Sequence, residues 1–208
     1  NIPDIEVTQR CNLQCPVCFA NAGIGGQKDP SLGELQDQLH TLWESAGNCN
    51  IQLSGGEPTM REDLPEIVAA ARDIGYTFFQ LNTNGIRLGE DPNYVKKLKE
   101  VGLSTVFLQF DGIKDEIYKL IRGRNLFQIK TRAIENCARC NIGVILVPTL
   151  IPGINTGSVG EIIRYALQGL PAIRGVHFQP MSYFGRYPAL PSDWDRITLP
   201  EVMAAIET

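Results

Sequence analysis

Three of the six cysteines lie within eight residues, at Cys11, Cys15 and Cys18. Their Cys-x3-Cys-x2-Cys spacing suits three irons of a cubane cluster and leaves the fourth iron without a protein ligand. Electron-transfer clusters ordinarily have four cysteine ligands, and no fourth cysteine is adjacent. An open iron can bind a small molecule through an amine and a carboxylate. The spacing therefore predicts a [4Fe–4S] cluster with one open coordination position.

Two other interpretations of these cysteines remain open. One is a zinc site completed by Cys49 or by a distant histidine, although zinc ligands usually come as Cys-x2-Cys pairs. The chain has only His40 and His177 to offer. The other is a set of thiols without any metal.

A second motif, Ser54-Gly55-Gly56-Glu57-Pro58, follows the second predicted strand. Glycine has no Cβ, so the backbone of Gly55 and Gly56 can approach a ligand closely. Backbone carbonyls at the loop edge and the Glu57 carboxylate can then accept hydrogen bonds from an ammonium group. Gly-Gly alone would indicate a plain turn, but next to the cysteine motif it indicates a ligand site.

Together, the two motifs resemble the radical S-adenosylmethionine (SAM) superfamily, over nearly the whole chain. The resemblance implies that the cluster passes one electron to SAM and that the S–C5′ bond breaks. The resulting 5′-deoxyadenosyl radical would remove hydrogen from an inert C–H bond. It also implies that Gly55, Gly56 and Glu57 hold the methionine amine of SAM. A ferredoxin or flavodoxin would be the electron donor.

The same resemblance implies further SAM contacts on the later strands. Thr83 would lie near the methionine or ribose, and Gln109 and Asp111 would offer polar groups at the end of strand four. Similar enzymes mostly carry Ser where Gln109 stands. The resemblance implies that Arg122 neutralises the SAM carboxylate, a pairing suited to guanidinium.

The adenine side of SAM is expected at three more residues. The resemblance implies that Val17 packs against adenine, and that Phe178 and Gln179 contact it from the last strand. An aromatic residue on a buried strand can equally belong to the core, so both roles stay open for Phe178.

Four segments resemble a narrower group, which contains archaeal tetraether lipid synthase and a pterin-methylating radical SAM enzyme; they are residues 15–23, 108–112, 146–155 and 175–187. We expect C–C coupling of lipid alkyl chains, with methylation of a pterin precursor as the alternative. A non-catalytic iron–sulfur or zinc module is a third possibility, against which the Gly-Gly-Glu-Pro motif argues. The substrate would be a lipid or a pterin.

These motifs need a scaffold, and the chain alternates short apolar runs with helical patterns. Predicted strands cover residues 5–8, 50–54, 77–82, 104–110, 143–148 and 175–179, and predicted helices cover 32–45, 61–74, 93–100, 126–139 and 158–167. Ser31 is the expected N-cap of the first helix and Gly75 the C-cap of the second. Repeated βαβ units with apolar strands predict an α/β fold, a partial (β/α)6 TIM-like barrel with parallel strands.

Polar and glycine-rich tracts follow all six predicted strands, at residues 8–18, 54–59, 82–85, 109–112, 148–155 and 179–185. In barrels of parallel strands the carboxyl ends of the strands carry the active site. We therefore expect the six tracts to share one site.

Length and charge limit the kinds of protein that this chain can be. The 208 residues suit one core domain, residues 1–208, which we expect to be a piece of a longer protein with flanking domains. A net charge of −4, with no Lys/Arg run longer than two, predicts no nucleic-acid partner. No apolar stretch is long enough to span a membrane. Clustered cysteines favour a reducing, cytoplasmic compartment, with association to membrane lipid if the substrate is a lipid.

The other three cysteines are not expected to form a second cluster. Cys49 precedes strand two, whereas Cys137 and Cys140 precede strand five. Three strand spacings separate them, roughly 14 Å at about 4.8 Å each. We interpret them as thiols without a metal, unless segments outside this chain supply further ligands.

The first prediction concerns iron content. After anaerobic reconstitution, the protein should carry about four irons at Cys11, Cys15 and Cys18, the stoichiometry of a cubane cluster. Replacing all three by Ala should remove that iron, whereas Cys49→Ala should keep it. Full iron retention in the triple variant, measured by a colorimetric iron assay, would contradict the assignment.

Overall fold

The computed structural model describes residues 2–23, 28–189 and 192–207. Its strands are β1 Asp4–Thr8, β2 Ile51–Gly55, β3 Phe79–Thr83, β4 Thr105–Gln109, β5 Gly143–Val147, β6 Thr149–Leu150, β7 Ile173–Val176 and β8 Gln179–Pro180. Six of them form one sheet in the order β1-β2-β3-β4-β5-β7, and every neighbouring pair is parallel. Strands β6 and β8 pair separately, also in parallel. The predicted partial barrel of parallel strands is confirmed.

Helices connect the strands. They are α1 Leu32–Ala46, α2 Leu64–Ile74, α3 Ile86–Glu90, α4 Pro92–Glu100, α5 Asp115–Arg122, α6 Phe127–Arg139, α7 Val159–Gln168 and α8 Leu199–Glu207, with 3-10 turns at Pro58–Met60, Thr156–Ser158 and Asp193–Asp195. Ser31 caps α1 as predicted: its hydroxyl accepts from the Glu34 N–H, and the Glu34 carboxylate accepts from the Ser31 N–H. Gly75 ends α2 with φ of 127°, a conformation that favours glycine.

The sheet buries one row of side chains against the helices and turns the other row inward. Successive residues of a strand point to opposite faces. Leu53, Leu81 and Val106 lie in register on neighbouring strands and are almost fully buried in the main core. Gln52 and Gln80, one residue earlier, pair on the inner side and hydrogen-bond through their amides. The barrel interior is thus polar at its base.

Two predicted elements differ from the structure. The strand predicted at 175–179 is two strands, because β7 ends at Val176 and the chain joins β6 of the small sheet through β8. The helix predicted from residue 61 begins at Leu64. Arg61 has extended backbone, and its buried guanidinium binds the carbonyls of Val7 and Pro30 instead. The short helix α3 had not been predicted.

The three remaining cysteines pack at the main core. Cys137 is buried, and Cys49 and Cys140 are half-buried against the same cluster. The strand order places β3 and β4 between β2 and β5. The geometric separation expected from the sequence is therefore present in the sheet.

Among the described residues, no helix combines the length and the apolar composition that crossing a membrane requires.

The second prediction concerns the core. Leu81 lies on central strand β3 with 0% exposure, so Leu81→Ala should lower the free energy of unfolding by about 2–5 kcal/mol through lost burial and a cavity. The matched control, Leu120→Ala at an exposed position on α5, should change it by less than about 0.5 kcal/mol. Urea denaturation of both variants measures the difference, and equal losses would contradict this packing.

Candidate active site

A cavity of about 560 Å³ opens at the carboxyl ends of the strands. That volume is in the range of roughly 300–1,000 Å³ for small-molecule sites. All six predicted polar tracts contribute to its wall, for example through Cys15, Gly55, Asn84, Gln109, Thr149 and Gln179. The tracts therefore do share one site, as the strand pattern predicted.

Of the thirteen predicted site residues, eleven line this cavity: Cys11, Cys15, Val17, Cys18, Gly55, Gly56, Thr83, Gln109, Arg122, Phe178 and Gln179. The other two, Glu57 and Asp111, are fully buried behind the wall. Which of these residues touch a cluster or SAM stays a prediction.

The cysteine loop is held by backbone hydrogen bonds at both ends. The N–H of Cys11 donates to Gly23 at 3.1 Å, and that of Cys18 donates to Arg186 at 2.8 Å. Burial raises the pKa of the Cys11 thiol to about 11, against the opposing effect of the Leu13 N–H that donates to its sulfur. The thiol is therefore protonated at neutral pH, and iron would have to displace its proton.

The three thiols fit a cluster better than a single metal ion. Within the described ranges, no three Cys, His, Asp or Glu side chains are gathered around one point closely enough to hold one ion. Ligand sulfurs around tetrahedral zinc would be only about 3.8 Å apart, from a Zn–S distance of about 2.3 Å. A cubane binds each cysteine at a different iron, so it suits more widely spaced thiols on one cavity wall.

The two glycines are required by close contact between chain segments. A Cβ on Gly55 would overlap the Thr8 carbonyl oxygen, and one on Gly56 would overlap the Arg10 carbonyl oxygen. The N–H of Gly56 donates to Thr8, and the N–H of Glu57 donates to Arg10, both at 2.8 Å. The end of β2 is thereby attached to the segment that leads into Cys11.

The Glu57 carboxylate is occupied by protein donors. One oxygen accepts from the N–H of Thr59 at 3.0 Å and from the hydroxyls of Thr59 and Thr83 at 2.6 and 2.7 Å. The other accepts from the Asn84 N–H at 2.6 Å. With 0% exposure, the Glu57 side chain does not reach the cavity. The resemblance predicts Glu57 beside the SAM ammonium; in this structure its carboxylate lies between the ends of β2 and β3.

Asp111 and Arg122 form a buried, two-pronged ion pair. Nε and Nη2 of Arg122 donate to the carboxylate at 2.7 and 2.8 Å, and Nη1 donates to the Val17 carbonyl at 3.2 Å. Nη2 also reaches Thr149 Oγ1 at 3.1 Å. Burial alone would lower the pKa of Arg122, but the Asp111 carboxylate holds it above its usual value. Asp111 thus orients Arg122 at the cavity wall.

The sequence analysis did not identify Lys130 as a residue of the site. It lies on α6 with 0% exposure, and its Nζ donates to the Asn84 carbonyl and to Gln109 Oε1. Burial lowers the pKa of Lys130 to about 7, with the Asp111 carboxylate opposing that effect. A lysine in a helix pattern normally indicates a solvated face, so no signal in the sequence marked it.

Aromatic rings at the cavity wall were also missed. Phe107 lies on inner β4, and His177 is tilted against it with ring centroids 5.8 Å apart. The exposed rings of Phe19 and Phe184 meet edge to face at the rim, 6.4 Å apart. The period-two pattern of β4 could have identified Phe107 as inward-facing, because it lies two residues before Gln109.

The third prediction follows from the hydrogen bonds of Glu57. Glu57→Ala should lower the free energy of unfolding of the iron-free, SAM-free protein by roughly 3 kcal/mol, because buried donors at Thr59, Thr83 and Asn84 lose their acceptor. The control Glu62→Ala, at a largely exposed carboxylate, should stay within about 0.5 kcal/mol of wild type. If Glu57 served SAM alone, its removal would leave this ligand-free stability unchanged.

Comparison with known proteins gives the family. Residues 5–166 match the radical SAM superfamily. The chain is 47% identical to 7,8-dihydro-6-hydroxymethylpterin dimethyltransferase of Methanocaldococcus jannaschii, over 99% of this chain and 41% of that protein. It is 40% identical to Fe-coproporphyrin III synthase of Methanosarcina barkeri, over 81% of this chain and 38% of that protein.

A solved structure shows the same fold. Streptococcus suis SuiB bound to S-adenosylmethionine superimposes with a TM-score of 0.74 at 12% identity, over 98% of this chain and 45% of that one. The chain spans less than half the length of each of these three proteins. Neither sequence relative is named for a lipid, so the expected coupling of alkyl chains gains no support, and the pterin alternative fits better. The chain therefore belongs to the radical SAM superfamily of enzymes, whose cofactors are a [4Fe–4S] cluster and SAM.

Proposed function

We propose that the protein is a radical SAM enzyme that acts on a reduced pterin, on the way to its C-methylation. The observation that carries this proposal is the 47% identity to the pterin dimethyltransferase, which extends over 99% of the chain. The cluster would be held by Cys11, Cys15 and Cys18 on one wall of the cavity, with SAM beside it.

The residues at the strand ends suit the two charged groups of SAM's methionine part. Nη1 of Arg122 donates to the Val17 carbonyl and carries a second N–H, which can bind the SAM carboxylate. Gly55, Gly56 and Thr83 line the neighbouring wall, where backbone carbonyls and a hydroxyl can accept from the ammonium. Val17 and Phe178 supply apolar surface for adenine, and Gln179 supplies an amide.

The wall chemistry favours a flat, polar heterocycle over an alkyl chain. The amide of Asn82 and the rings of Phe107 and His177 also line the cavity. An alkyl chain would strip water from the amide and the imidazole without replacing its hydrogen bonds, at a cost of roughly 1–3 kcal/mol each. A pterin edge carries both donors and acceptors, and its face can stack on aromatic rings.

With both cofactors bound, one-electron cleavage of SAM would supply a 5′-deoxyadenosyl radical for hydrogen abstraction. The chain's own residues bind and orient SAM, and the cavity wall limits the access of water to the reacting groups. A ferredoxin or flavodoxin would supply the electron.

The fourth prediction tests this function. Full-length, cluster-loaded protein given a strong reductant should release 5′-deoxyadenosine, and a deuterated dihydropterin should transfer deuterium into that product, as mass spectrometry detects. A deuterated long-chain lipid should not. Cys15→Ala should abolish release, and Cys49→Ala should retain it.

Two results would contradict the proposal in different ways. Deuterium transfer from the lipid and not from the pterin would overturn the substrate. No 5′-deoxyadenosine under any condition would overturn the radical mechanism and leave a metal-binding module without SAM chemistry.

A further inference from the structure

Lys130 lies behind the cavity wall and has no role in the proposed function. Its side chain is fully buried under Gln109, which lines the cavity. Nζ donates to the Asn84 carbonyl at the end of β3 and to Gln109 Oε1, 3.0 Å away, at the end of β4. The ring of Tyr118 lies on another side, with its centroid 5.8 Å from Nζ. Lys130 therefore touches the wall from behind without lining it.

The contact determines which way the Gln109 amide faces. A primary amide has an oxygen that accepts and a nitrogen that only donates. If the amide were flipped, Nε2–H₂ would oppose the N–H groups of Lys130, and both would lose their partner in a buried place. Oε1 must therefore face Lys130, and Nε2 must face the other way.

The opposite side of Gln109 is the cavity. Within the part of the chain that the structure describes, the Nε2 group of Gln109 has no hydrogen-bond acceptor, so its N–H groups are available to a ligand. A protonated lysine has no lone pair, so Nζ can only donate, and Oε1 is the atom of the Gln109 amide that can accept from it.

We propose that Lys130 is a positioning residue that locks the Gln109 amide with its N–H₂ group toward the cavity, so that position 109 serves only as a hydrogen-bond donor to an acceptor oxygen of bound SAM. This inference rests on the proposed function, because it takes SAM as the ligand beside Gln109. It assigns a role to a residue that makes no contact with SAM itself.

The fifth prediction uses Gln109→Glu. The new carboxylate keeps a partner for Lys130, so the thermal midpoint should stay equal to wild type or rise. The donor facing SAM is replaced by a carboxylate oxygen, so SAM affinity should fall about tenfold, because a hydrogen bond is lost and two acceptor oxygens then face each other. The measurement is equilibrium dialysis of radiolabelled SAM against cluster-loaded protein, with iron content checked in each variant.

A double-mutant cycle shows whether Lys130 acts through Gln109. Lys130→Met should weaken SAM binding about fivefold or more in the wild-type background, and should add little to Gln109→Leu, because the amide it orients is then absent. The matched control Lys119→Met, on the exposed side of α5, should leave affinity unchanged. Gln109→Glu keeps Lys130, so its result stands even if Lys130→Met does not fold.

The outcomes separate this inference from the proposed function. If wild-type protein with full iron content did not bind SAM, the proposed function would be overturned and the inference with it. Two results would contradict the inference alone, provided that wild type binds SAM. One is a Gln109→Glu variant with unchanged SAM affinity. The other is a double mutant whose loss of affinity equals the sum of the losses from Lys130→Met and Gln109→Leu.

Discussion

Four buried ionisable side chains lie behind the cavity wall at the carboxyl ends of the strands, and their contacts hold the site together. Glu57, Asp111 and Lys130 have no exposed surface, and Arg122 has 8%. An unpaired charge in such a place costs several kcal/mol, so each must keep its partners. Asp111 and Arg122 form an ion pair, whereas Glu57 and Lys130 are satisfied by hydrogen bonds to backbone groups and to neutral side chains. A shift of the strand ends would therefore break at least one of these buried contacts, at a cost in free energy.

These four side chains also connect elements that lie far apart along the chain. Glu57 joins the end of β2 to Asn84 after β3, and Lys130 joins Asn84 to Gln109 on β4. The pair of Asp111 and Arg122 continues this connection to Thr149 on β6 and to the Val17 carbonyl in the cysteine loop. A site whose ligand-facing groups are held in place before binding loses less conformational freedom when the ligand arrives.

Local sequence patterns predicted the fold and most residues that line the cavity, but not the buried contacts behind those residues. The Ser31 cap and the polar tracts after the strands were predicted from short-range signals, and the structure has both in the predicted places. Lys130 contacts residues 46 and 21 positions away, so no local period reveals it. The resemblance of the Gly-Gly-Glu-Pro motif predicts Glu57 at the SAM amine, whereas in this structure its carboxylate accepts from four protein donors, which come from residues beyond the motif. The strand predicted at 175–179 failed because an apolar run does not show where a chain changes sheets.

The two motifs that identified the family form one structural unit, and this explains why together they say more than either does alone. The loop after β2 can lie against the segment before Cys11 only if residues 55 and 56 have no side chains. That approach brings the N–H groups of Gly56 and Glu57 to the carbonyls of Thr8 and Arg10. A cysteine loop built this way therefore needs two glycines at the end of the neighbouring strand. The Glu that follows them then ties the same unit to β3, so the cysteine loop and the cavity wall are positioned by one set of contacts.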